Sequence, residues 1–170
     1  MHGFIGEFFG TMVLILLGAG CCAGNSLNKT YGKQSGWWFI CISWGLAVTM
    51  GVYVAGFLGS LGHLNPDVTI PFAIFGLFPW SNVIPYLLGQ FLGAFVGAVL
   101  VIIQFYPQFK ATPNEEEGNN VGIFATRPAI NSPIFNFFSE VIATFAFIFI
   151  LLNLGNFTQG LKPFIVGMVI

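Results

Sequence analysis

Residues 64–77 are apolar enough to enter a bilayer and too short to cross one. A spanning helix needs about 20 mostly apolar residues, whereas a run of about 10–14 marks a re-entrant or interfacial segment. This run is broken by Pro66 and Pro71, and His63, Asn65 and Asp67 cluster at its start. Lipid offers no hydrogen bonds, so non-helical backbone at membrane depth survives only where protein buries it or where it lines a watery cavity. In a membrane chain, this segment predicts a pore or a binding site.

The surrounding chain meets that condition. Residues 4–23, 37–57, 83–105 and 134–154 are each long and apolar enough to span, and a fifth run begins near Leu161. Of the 170 residues, 56% are hydrophobic and 6% charged, against about 25% charged in a soluble domain. A soluble fold would have to expose that apolar surface to water. The net charge of -1 leaves no electrostatic footprint for nucleic acid. The N-terminus lacks the basic region and small-residue cleavage site of a secretory signal, so the first run is expected to remain as a span. Residues 161–170 fall short of a crossing and carry no stop signal, so the chain is expected to end inside a helix. Cys21, Cys22 and Cys41 lack metal-ligand spacing. Residues 28–30 and 156–158 match the glycosylation triplet but carry no weight, since such triplets arise by chance.

The expected fold is an all-α polytopic membrane protein. A first unit, residues 1–105, holds three spans and a half-helix at about residues 65–77. A polar extramembrane loop follows at 106–133, with the run Glu115-Glu116-Glu117 as a solvated face. A partial second unit occupies 134–170. Lys29, Lys33, Lys110 and Arg127 fall on one side and Lys162 on the other, and the positive-inside rule would place the first group in the cytoplasm.

The two units share a phrase. Glu7-Phe-Phe-Gly-Thr11 and Glu140-Val-Ile-Ala-Thr144 each place Glu and Thr four apart, on one helix face. An odd number of crossings separates them, which gives an inverted repeat of the kind that builds midplane sites. Gly89, Gly93 and Gly97 form a small-residue face that permits close helix packing.

Asn65-Pro66 reads as a helix start, with Asn as N-cap and Pro at the first position. The first turn of a helix carries unpaired N–H groups and a partial positive charge. Aimed into a pore, it opposes cations and leaves donors for hydroxyls. The carbonyls of Gly62, His63 and Leu64, in the non-helical approach, would add acceptors. Glu7 and Glu140 admit three readings: proton relay, ion site, or structural acceptor for the unpaired amides of a re-entrant loop. His63 and Asp67 lack a third metal ligand. Trp44, with Val48 one turn on, fits either an interfacial belt or the wall of a passage. No nucleophile–base set appears, so an enzyme is not expected, and no cofactor is implied.

Together these residues resemble the major intrinsic protein superfamily, the aquaporins. The resemblance rests on Gly6-Glu7-Phe8-Phe9-Gly10-Thr11, Ser60-Leu61-Gly62-His63-Leu64-Asn65-Pro66, Val68-Thr69, Gly89-Gln90-Phe91-Leu92-Gly93-Ala94 and the Glu140 helix. Trp44-Gly45-Leu46-Ala47-Val48 and Phe124-Ala125-Thr126-Arg127-Pro128 look like the aquaglyceroporin branch, close to bacterial glycerol uptake facilitators. The resemblance implies six spans and two half-helices, a homotetramer in a bacterial plasma membrane, and passive conduction of glycerol, water and other small neutral solutes. It also implies that Asn65 donates to the solute, that Gly62, His63 and Leu64 offer carbonyls, that Glu7 and Glu140 brace the loops, and that Trp44 walls the constriction. It sets the N-terminus in the cytoplasm, against the charge count. Two departures stand out. Asp67 replaces the Ala of the family's Asn-Pro-Ala motif, where its charge would weaken the helix-end field. The second such motif has no counterpart in residues 1–170, so the 170 residues alone are expected not to conduct. A secondary transporter with inverted repeats, or a non-functional truncated membrane protein, are the alternatives.

Overall fold

The computed structural model describes residues 2–113, 120–154 and 159–170. The sequence features expected at residues 115–117 and 156–158 lie outside them. Among the described residues the chain is helical: α1 (His2–Ser26), α2 (Trp37–Phe57), α3 (Pro66–Ile74), α4 (Val83–Gln104), α5 (Tyr106–Lys110), α6 (Pro133–Asn153) and α7 (Lys162–Met168). Helices α1, α2, α4 and α6 are long and apolar enough to cross a membrane. The expected all-α architecture, with a short helix between the second and third long ones, is present among the described residues. The loop of residues 105–132 contains more structure than its polarity suggests, namely α5 and a 3-10 turn at Asn120–Ile123.

Small residues set how closely the helices approach. A Cβ built at Gly89 or Gly97 would lie 2.7 Å from the carbonyl oxygen of Phe4 or Met12. At Gly93 it would strike the Phe8 carbonyl. Each helix steps by four residues, so the α4 glycines seat on successive turns of α1. The α1–α2 contact is made the same way, with Gly10 and Gly51 each 2.8 Å from the other's carbonyl by that measure. In lipid, where apolar side chains gain nothing by leaving solvent, such backbone proximity is a main source of helix association. Helix α6 stands apart from this packing, with Ile148 as its buried residue among those described.

The short helix α3 is defined by both of its ends. Asn65, in extended conformation, accepts the Asp67 N–H on its side chain at 2.9 Å, and Pro66 takes the first helical position. At the other end Gly76 adopts φ +73°, the left-handed geometry glycine tolerates best. The Gly76 N–H then reaches the Ala73 carbonyl at 3.2 Å, and the Leu77 N–H reaches that of Phe72 at 2.8 Å. This paired closure, the Schellman motif, ends the helix at Ile74, three residues before the apolar run does. On the far side of the spans, the first connection is tied to the region after α5. There the Asn28 N–H donates to Thr112 Oγ1 at 2.7 Å and its side chain to the Ala111 carbonyl at 3.2 Å.

Candidate functional site

The approach to α3 has no regular hydrogen bonding of its own, and α1 supplies it. The Glu7 side chain is fully buried and faces the loop of residues 58–65. Its Oε1 accepts the His63 N–H at 2.9 Å and the Ser60 hydroxyl. Its Oε2 accepts the Leu64 N–H at 2.7 Å and the Gln90 amide at 2.8 Å. The same Gln90 amide donates to Thr69 Oγ1 at 2.9 Å, and Thr69 donates to the Asn65 carbonyl at 3.2 Å. One carboxylate thus links α1, the loop, α3 and α4. Leaving a buried donor unpaired costs about 1–3 kcal/mol, so these bonds determine whether the loop can lie at this depth.

The backbone here is held in an uncommon shape. Gly62 has φ +70° and Leu64 φ 55°; the second is unusual for a residue with a branched side chain. Leu64 is pinned there by its bond to Glu7. Among the described residues no donor reaches the carbonyls of Gly62, His63 or Leu64. The His63 ring is buried and packed by Phe72, Phe78 and Tyr86, with ring centres 5.3, 4.8 and 5.1 Å away. Its Nδ1 lies 3.1 Å from Thr69 Oγ1. No group of His, Cys, Asp and Glu suited to a metal occurs among the described residues.

A cavity of about 370 Å³ lies at the start of α3, with Trp44, Val48, Leu64, Asn65 and Pro66 in its wall. Gly62 and His63 are not among the residues that line it. The donor supply differs from the sequence expectation of a first turn rich in free N–H groups. Pro66 has none, the Asp67 N–H is taken by the Asn65 side chain, and those of Val68 and Thr69 both go to the Asn65 carbonyl at 3.1 Å. What remains is the Asn65 side-chain Nδ2, which has no partner among the described residues. Thr11 and Gln90 also line this cavity, and their buried Oγ1 and Oε1 likewise lack partners. Leu14, Ile15, Trp44 and Val48 add apolar surface to the same lining.

Asp67 sits in the first turn of α3 with its side chain exposed, outside the cavity wall. Glu140 is exposed on α6, facing an apolar groove with Pro71, Phe75 and Thr144. No hydrogen bond reaches it among the described residues. Sequence reasoning did not single out Ser60 or Gln90 as partners of Glu7, or Thr69 as a partner of Gln90. Each stands inside or beside a phrase that carried the family resemblance, and that was the available signal.

Comparison with known proteins places this geometry. The major intrinsic protein family model matches residues 1–170. The chain is 66% identical over 170 residues to glycerol uptake facilitator protein 2 of Lactiplantibacillus plantarum, covering 100% of this chain and 72% of that protein. It is 45% identical over 172 residues to the glycerol uptake facilitator protein of Streptococcus pneumoniae, again covering 100% and 72%. Among solved structures, the X-ray structure of the aquaglyceroporin from Plasmodium falciparum matches with a TM-score of 0.72 at 28% identity, covering 99% of this chain and 67% of that one.

Proposed function

The chain belongs to the major intrinsic protein family, and from that premise we propose that it forms a passive channel for glycerol, water and other small neutral solutes in a bacterial membrane. The observation that carries this reading is the mixed lining of the inner cavity, in which polar atoms without partners stand among apolar side chains. It offers the free Nδ2 of Asn65, the Oγ1 of Thr11 and the Oε1 of Gln90. It also offers Trp44, Val48 and Leu14. A polyol has the same mixture of hydroxyls and C–H groups. An ion gains nothing from the apolar part of such a lining in exchange for its hydration shell. Within this reading Asn65 donates to the passing hydroxyl. Gly62, His63 and Leu64 present acceptors, and Glu7 braces the loop that holds them. Glu140 is assigned the equivalent task on a second loop. Assembly as a homotetramer belongs to the same proposal, and the protein acts as a channel rather than an enzyme.

The test is glycerol permeability of proteoliposomes carrying the product of the natural gene, with and without Asn65→Leu. Leucine keeps the volume and removes the donor. We expect flux that does not saturate with glycerol and falls at least about tenfold in the variant, as loss of a buried pairing group allows. Saturable uptake driven by an ion gradient would instead establish the secondary-transporter reading.

A further inference from the structure

We propose that Gly18 and Cys22 form a seat on α1 for the Trp44 indole, and that Cys22 is thereby a positioning residue for solute selection. This rests on the channel reading above. Trp44 lies in the wall of two cavities, the inner one at Asn65 and an outer one of about 1080 Å³ toward Arg127. Its side chain is thus shared by the two linings. Two contacts fix its orientation, and both come from α1. A Cβ built at Gly18 would fall 2.5 Å from the Trp44 six-membered ring, so the ring lies directly on backbone. Four residues on, and so on the same helix face, Cys22 Sγ accepts the Trp44 Nε1–H at 3.3 Å.

The second contact has a chemical consequence. An indole N–H is a donor only, and in an apolar setting it needs an acceptor. With Cys22 as acceptor, the N–H is occupied and the rest of the ring acts as apolar wall for C–H groups. Without it, the N–H is left to take water or a solute hydroxyl, or the ring turns until another acceptor is found. Either outcome changes what the passage prefers. Sulfur is a weak acceptor, so the effect is expected to be modest and readable as a selectivity ratio rather than as loss of the protein.

The experiment compares the natural gene product with Cys22→Val, Cys22→Ser, Trp44→Phe and the double variant Cys22→Val with Trp44→Phe. Two readouts are taken: the glycerol-to-water permeability ratio in proteoliposomes, and the indole N–H resonance of Trp44 in protein labelled with 15N-tryptophan. Cys22→Val is expected to lower the ratio about threefold, the size of a modest hydrogen bond, and to move the resonance. Cys22→Ser, which keeps an acceptor, should preserve both. In the Trp44→Phe background Cys22→Val should change nothing further. An unmoved ratio in Cys22→Val, or an equal fall with and without Trp44, overturns the proposal. So does a resonance that stays in place. Absence of glycerol permeability in every form is a failure of the channel reading instead, and the resonance then still decides whether the seat exists.

Discussion

Glu7 and Glu140 begin similar phrases on two long apolar helices and sit in opposite surroundings. The first is sealed between α1, α4 and the loop before α3, with two backbone amides, a hydroxyl and a side-chain amide bonded to it. The second faces an apolar groove beside Pro71 and Phe75 and meets no donor among the described residues. The helices differ in the same sense. α1 is pressed against α2 and α4 through glycines, while α6 is exposed along most of its length. Within residues 1–170, then, Glu7 meets a loop that brings donors to it, and Glu140 meets none among the described residues.

Four substitutions test this contrast, from the largest expected effect to the smallest. Gly93→Leu should abolish folding, since even one Cβ strikes the Phe8 backbone and a fixed carbonyl cannot move aside. Its readout is loss of the monodisperse protein in detergent. Folded Gly93→Leu protein would show that the closed half is looser than its glycine ladder implies. Glu7→Ala leaves the His63 and Leu64 amides without an acceptor, a loss of about 2–6 kcal/mol, to be read as a fall in thermal unfolding midpoint. Asp67→Ala should raise glycerol flux or lower cation leak by about two- to fivefold, the range of 0.3–1 kcal/mol for a charge at a helix N-terminus. Equal flux and equal leak in vesicles would mean that the exposed Asp67 carboxylate does not act on the passage. Glu140→Ala in the 170-residue chain should cost under about 0.5 kcal/mol, as surface substitutions do. A loss matching that of Glu7→Ala would show that Glu140 already holds a bonded partner within residues 1–170, and the contrast would fail.

The large elements were legible because a bilayer imposes a length on them. The spans expected at 37–57 and 134–154 fall within one residue of α2 and α6, and α1 runs two or three residues further at each end. The half-helix was legible from Asn65-Pro66 at one end only. Its other end depends on Gly76 entering the left-handed region, whereas hydropathy continues through Leu77. α5 was missed because a polar loop at a membrane surface shows no apolar period. The Glu7 network was out of reach for a different reason. Its members are separated by 53 to 83 residues, and no local pattern ties Ser60 or Gln90 to an acid on the first helix. The Cys22–Trp44 contact spans 22 residues and two helices, and it was hidden in the same way.

That separation has a consequence for how the protein is made. Glu7 is synthesised first, while its loop donors follow 53 to 57 residues later and the Gln90 amide 83 residues later. At about 5–20 residues per second, the acid waits roughly 4–17 s for its last partner. During that time α1 carries a carboxyl group whose set of donors is still incomplete. The insertion machinery must either keep that face wet or hold α1 at the edge of the bilayer until α4 arrives. Biogenesis of this protein is therefore expected to be concerted through its first four helices, with α1 committed to the membrane only when α4 closes over Glu7.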